Sequence, residues 1–144
     1  MAPTAADIDD LLELLPRLRE LGGEYVVEWR IEAAKGQRAR RFPIYPLAVT
    51  EFFYVASRAC WIDARHDGAA AAAMLADRDA VARADMAAIK AMLTWCVRGE
   101  QFHDGHWNDV LGDGRVFALL ERLDQIRSTE ARRVTASRRP TRRR

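Results

Sequence analysis

Lysine is nearly absent from this chain: of 23 basic residues only Lys35 and Lys90 are not arginine. Together with abundant alanine, that bias points to a GC-rich bacterial genome and weakens any functional reading of arginine as such. Cysteine is scarce as well. Cys60 and Cys96 are too few for a disulfide scaffold or a four-cysteine zinc site, so a reducing cytoplasm is the expected compartment. No run approaches the ~20 apolar residues of a membrane span. The opening "MAPTAADIDD" is acidic and lacks the basic-then-apolar pattern of a signal peptide. Also missing are a G-x-S-x-G elbow, a phosphate-cradling glycine loop and a dinucleotide fingerprint, so nothing marks a nucleophile or a nucleotide site.

What is present fits one domain. The chain has 144 residues, 49% of them hydrophobic. At that length folding buries roughly 70% of the surface the unfolded chain exposes, with no need of staples. The net charge of +2 hides an asymmetry: the last fourteen residues, "ARRVTASRRPTRRR", hold seven arginines and no acid. Without those seven the balance is 16 basic against 21 acidic residues, a charge of −5. The organisation expected is a helical domain over 1–130 and a disordered arginine-rich tail over 131–144.

Apolar spacing predicts mainly α structure, a bundle of about five to six helices with a possible short β-hairpin. The first helix covers 4–21, opened by a Thr4/Asp7 capping box and bent or broken at Pro16. "YVVEWRIE" and "RRFPIY" within 25–45 suggest the hairpin, with Pro43 confining the second strand to an edge. Helices follow from Pro46, from Asp67 with a division near Asp77–Asp79, and from Asp85 with the stripe Met86, Ile89, Met92, Leu93, Cys96 and Val97. On that stripe Cys96 reads as a buried free thiol. Gly99 reads as the stop of the Asp85 helix, Asp104 as the cap of the next, and "GDG" at 112–114 as its end. Val116, Leu119, Leu120, Leu123 and Ile126 mark the last helix.

One segment concentrates functional residue types: "RGEQFHDGHW", residues 98–107. The stretch 85–123 around it resembles the C-terminal half of an uncharacterised bacterial family. That family's pattern is a helix ending in V-R, then phenylalanine, an acidic residue and G-H-W or G-H-L, followed by a Leu-rich C-terminal helix. "PIYPLAVTEFFYVA" and the aspartate at Asp63 resemble it too, so the likeness covers roughly 8–126. It implies one mostly helical domain and transfers no activity. Where this chain has His103 the family pattern often has cysteine or a small apolar residue, so the resemblance does not imply a site built on two histidines.

The residues of 98–107 admit three readings. His103 and His106, three apart, could share a metal with Asp63, His66, Asp104 or the cysteines. His106 could act as general acid or base, oriented by Asp104 or Glu100, with Arg98 holding an anion and Asp63 assisting. In the structural reading, Phe102 enters the core, Asp104 satisfies the orphan N–H groups of the next helix, and Arg98 pairs with Glu100. His106 and Trp107 then pack with their ring nitrogens partnered. The structural reading accounts for most of the stretch, so no metal or cofactor is expected, and catalytic candidates, if any, are His106, Asp104, Arg98 and Asp63. The function expected is a non-enzymatic binding or regulatory module for a protein or small ligand, with Trp95 as an anchor near an acidic rim. Rival expectations are a hydrolase-like or metal site at His106, and salt-sensitive nucleic-acid association through the tail.

Overall fold

The computed structural model describes residues 2–137. Local signals decide most helix boundaries. Thr4 and Asp7 form the reciprocal capping box that opens α1, Ala5–Leu12. The Thr4 hydroxyl accepts from the Asp7 N–H at 3.2 Å and the Asp7 carboxylate accepts from the Thr4 N–H at 2.8 Å. Pro16 has no N–H to continue the ladder, and the chain restarts as α2, Leu15–Glu20. Asp67, Asp77 and Asp85 cap α4 (Gly68–Leu75), α5 (Arg78–Ala82) and α6 (Met86–Arg98) through their carboxylates. Between α2 and α4 lies α3, Leu47–Ala56; after α6 come α7, His106–Gly112, and α8, Arg115–Ser137. The expected helices thus become eight segments among the described residues, because two of them divide at Pro16 and Asp77.

Residues 25–45 do form a hairpin. Strands β1, Glu28–Glu32, and β2, Arg40–Ile44, pair antiparallel with Trp29 opposite Pro43 and Arg30 opposite Phe42. A two-stranded ribbon has only edge strands, which is why Pro43 is tolerated. Residues 30–41 are all exposed, so that part of the ribbon adds nothing to the buried core.

The core forms around α6, which packs against α3, α4, α7 and α8. Its Ile89, Met92, Leu93 and Cys96 meet Val49, Phe52 and Phe53 of α3 and Val116, Leu119, Leu120 and Leu123 of α8 within one buried cluster. Thr94, fully buried, donates to the Lys90 carbonyl at 2.7 Å and accepts from the Asp63 N–H at 2.9 Å, tying the 60–67 connection to the central helix. Cys60 and Cys96 are free and buried. No helix among the described residues is long and apolar enough to cross a membrane.

The last helix runs to Ser137, beyond the boundary expected at 130. The apolar stripe ends near Ile126, but alanine and arginine are good helix formers and carry the helix on without packing. Residues 138–144, with five of the seven tail arginines, lie outside the described residues.

Candidate functional site

Helix α6 ends at Arg98 and gives way to one 3-10 turn, Gly99–Gln101, before α7 begins at His106. The first N–H groups of α7 need acceptors. Asp104 does not supply one. Gly105 occupies the capping position in the left-handed region, φ +96°, which leaves Asp104 one residue too early to reach the helix. Its carboxylate instead takes two bonds from the Arg40 guanidinium of β2, at 2.8 and 2.7 Å. Arg40 holds the Asp104 carboxyl below the usual carboxylate range.

Glu100 does the capping. Its Oε2 accepts from the Gly105 N–H and its Oε1 from the Trp107 N–H, both at 2.8 Å. The Tyr45 hydroxyl donates to the same Oε1 at 2.7 Å. Burial first, then the Glu100 carboxylate, raise the Tyr45 phenol above its ordinary 10.0. The expected Arg98–Glu100 pair is not made; Glu100 is turned to the Gly105 and Trp107 N–H groups and the Tyr45 hydroxyl instead. Tyr45 carries no local signal for its part in this, being 55 positions from Glu100.

His106 is buried, 7% exposed. Its ring stands edge-on to Trp95, centroids 4.5 Å apart at 75°, and lies over Gly99. A methyl group on Gly99 would come within 2.5 Å of His106 Cε1. Gly99 itself is right-handed, φ −60°, so it is required by the approach of the ring and not as a left-handed helix stop. Burial, then the nearby Arg115 charge, hold the His106 pKa below its ordinary 6.5. The ring is thus neutral, and its Nε2 has no partner, contrary to the expectation that both packed rings would find one. Trp107 does find one: its Nε1–H donates to the Val97 carbonyl at 3.1 Å while its ring stacks on Phe53 at 4.3 Å.

Phe102 does not enter the core. It is 87% exposed; the Trp107–Phe53 stack and His106 against Trp95 already fill the space behind the turn. Phe102 borders a cleft of about 580 Å³ with Trp95, Arg98, Gln101 and His66. The Arg98 side chain there makes no hydrogen bond or ion pair with a described residue. Trp95 is half-buried, with Arg115 5.3 Å over its ring, and none of the residues bordering the cleft is acidic, so the acidic rim expected beside Trp95 does not line it.

The four candidate residues are dispersed. Arg98 borders this cleft; Asp104, with Glu100, borders a second of about 520 Å³; Gln101 borders both. His106 and Asp63 border neither. Asp63 shapes its own turn, its carboxylate accepting from the Arg65 N–H and its carbonyl from His66 Nδ1, each at 3.0 Å. His103 is exposed, with Nε2 3.4 Å from Asp109. Among the described residues no group of three or more His, Cys, Asp or Glu side chains is placed to hold a metal ion.

No curated protein and no solved structure matches the chain. One family does, across the hairpin, the helical core and both clefts: the chain belongs, over residues 3–129, to the family of unknown function DUF6508.

Proposed function

We propose that this protein is a non-enzymatic binding or regulatory module of the bacterial cytoplasm, and that it binds in the cleft beside Phe102. The observation that carries the reading is an exposed phenylalanine on the rim of a concavity that also holds half-buried Trp95 and an arginine with no partner among the described residues. An isolated exposed apolar side chain needs no explanation. Here, however, the aromatic and arginine side chains that dominate binding energy at interfaces converge on one concavity. Its volume also falls in the range of roughly 300–1,000 Å³ typical of small-ligand sites.

The test is a fragment screen followed by amide and indole NMR signals. Ligands of the site shift the Trp95 indole N–H and the Gln101 and Phe102 amides, and lose affinity in Phe102→Ser. Phe102 is exposed enough for that change to leave the fold intact. Fragments that cluster elsewhere, or that bind Phe102→Ser as well as the native chain, would sink the reading.

A second reading has one observation behind it, the unpartnered Nε2 of His106. An acid–base site of His106 with Asp104, Arg98 and Asp63 would require the 99–101 turn to open, since neither cleft reaches the ring. Hydrolysis of an ester or phosphoester panel that disappears in His106→Gln would establish it. Nucleic-acid association through the arginine-rich end rests on composition alone.

A further inference from the structure

We infer that the occupant of the Phe102 cleft is a small aromatic carboxylate, an anion joined to a flat apolar ring. The inference rests on the binding reading above and adds the chemistry of the ligand. Charge is the first argument. Arg98 is the cation among the bordering residues, and none of those residues is acidic. The neighbouring Arg115 already has a partner, its Nε 2.6 Å from the Asp113 carboxylate. A guanidinium that is half-buried and unpaired among the described residues favours an anion, and its planar fork matches a carboxylate in two parallel hydrogen bonds.

The apolar half of the ligand follows from the other walls. Trp95 is held in place by the near-perpendicular His106 ring, centroids 4.5 Å apart, and by Arg115 over its ring, so it presents a fixed surface. Phe102 offers a second ring at the rim. Two aromatic surfaces favour a flat ring through offset or edge contacts, which a saturated chain cannot make. His66 forms a further wall. The Asp63 carbonyl can only accept, so Nδ1 of His66 carries the proton and that bond fixes the ring. Walls that are set before the ligand arrives lose little conformational freedom on binding.

Three probes separate the parts of the inference: phenylacetate (ring and anion), 2-phenylethanol (ring without charge) and acetate (anion without ring). Each is titrated at fixed ionic strength into the native chain and into Arg98→Gln, following the Trp95 indole N–H. Arg98 has no partner to lose, so the variant folds as the native chain does. Phenylacetate is expected to bind about tenfold tighter than 2-phenylethanol or better, as a charge-assisted pair would give. Arg98→Gln abolishes that preference and leaves 2-phenylethanol unchanged, and acetate alone shows no saturable binding. Equal affinity for phenylacetate and 2-phenylethanol, or a preference that survives Arg98→Gln, overturns the ligand class while the cleft remains a binding site. If neither ring compound moves any cleft signal, the binding reading itself fails.

Discussion

Replacing Gly99 by alanine tests why a glycine follows α6. The backbone there is ordinary right-handed helix. If the residue served only to end the helix, alanine would be neutral or stabilising by roughly 0.5–1 kcal/mol, through the lower entropy of the unfolded chain. The packing makes the opposite demand. A methyl group would come within 2.5 Å of Cε1 of His106, and nearer still to Nε2 and Cδ2. The ring has nowhere to retreat, with Trp95 against its edge and only 7% of its own surface open. Overpacking a buried site costs typically about 1–3 kcal/mol. Set against the entropic gain, the net expectation is a loss of about 0.5–2 kcal/mol, or ~2–6 °C in Tm for a chain of this length.

Urea unfolding followed by tryptophan fluorescence reads this directly, with an unchanged slope confirming that only stability has moved. The same substitution in a His106→Ala background is the control. With the ring gone, Gly99→Ala should become neutral or stabilising. A native-background Gly99→Ala as stable as the parent, or one whose penalty persists without the ring, would refute the close-approach account.

Glu100→Gln should lose about 1–3 kcal/mol of stability, because an amide offers one acceptor oxygen where Gly105, Trp107 and Tyr45 all donate. Tyr45→Phe removes one of those bonds and should cost about 1 kcal/mol; urea midpoints in the reverse order would contradict the capping role. For His106 the sign is set by its lowered pKa. Above the ordinary 6.5 the ring is neutral in both states. As pH falls through that value the unfolded chain takes up a proton that the folded chain resists, and stability declines. Glu100, the Trp95 backbone and Asp109 oppose this shift, but burial and Arg115 outweigh them. The loss in unfolding midpoint between about pH 7.5 and pH 5.5 should therefore shrink in His106→Gln, and an unchanged loss would show that the folded ring protonates freely. Burial pushes the Cys96 thiol up to about 12 and raises Cys60 as well. Neither should react with a thiol reagent until the chain unfolds, so prompt stoichiometric labelling of the native protein would contradict their placement.

Much of the architecture was legible from neighbouring residues. The capping box at Thr4 and Asp7, the break at Pro16, the division at Asp77 and the stripe of α6 each depend on groups within a few positions of one another. The 98–107 turn was misread at Asp104 and at Phe102 for a common reason. Asp104 is a plausible cap only if α7 starts one residue earlier than it does. Its start is set by Gly105, whose left-handed backbone also makes room for Trp29: a Cβ there would meet the Trp29 ring at 2.7 Å. Trp29 comes from a hairpin more than seventy positions upstream, so the displacement of the cap has no local trace. Phe102 looked like a core residue because it is apolar at a chain reversal, yet the space behind the turn was already taken by aromatic rings from α3, α6 and α7.

The sequence by itself determined that this chain is mainly helical, where most helices begin and break, and which faces they bury. Those outcomes follow from hydrogen bonds and apolar repeats spanning a turn or two. The tertiary structure decided which carboxylate caps α7, that His106 is packed against a backbone glycine, and that Phe102 and Arg98 border one cleft. Each depends on which side chain reaches a buried donor or fills a limited volume first, and that competition is settled only when the helices pack.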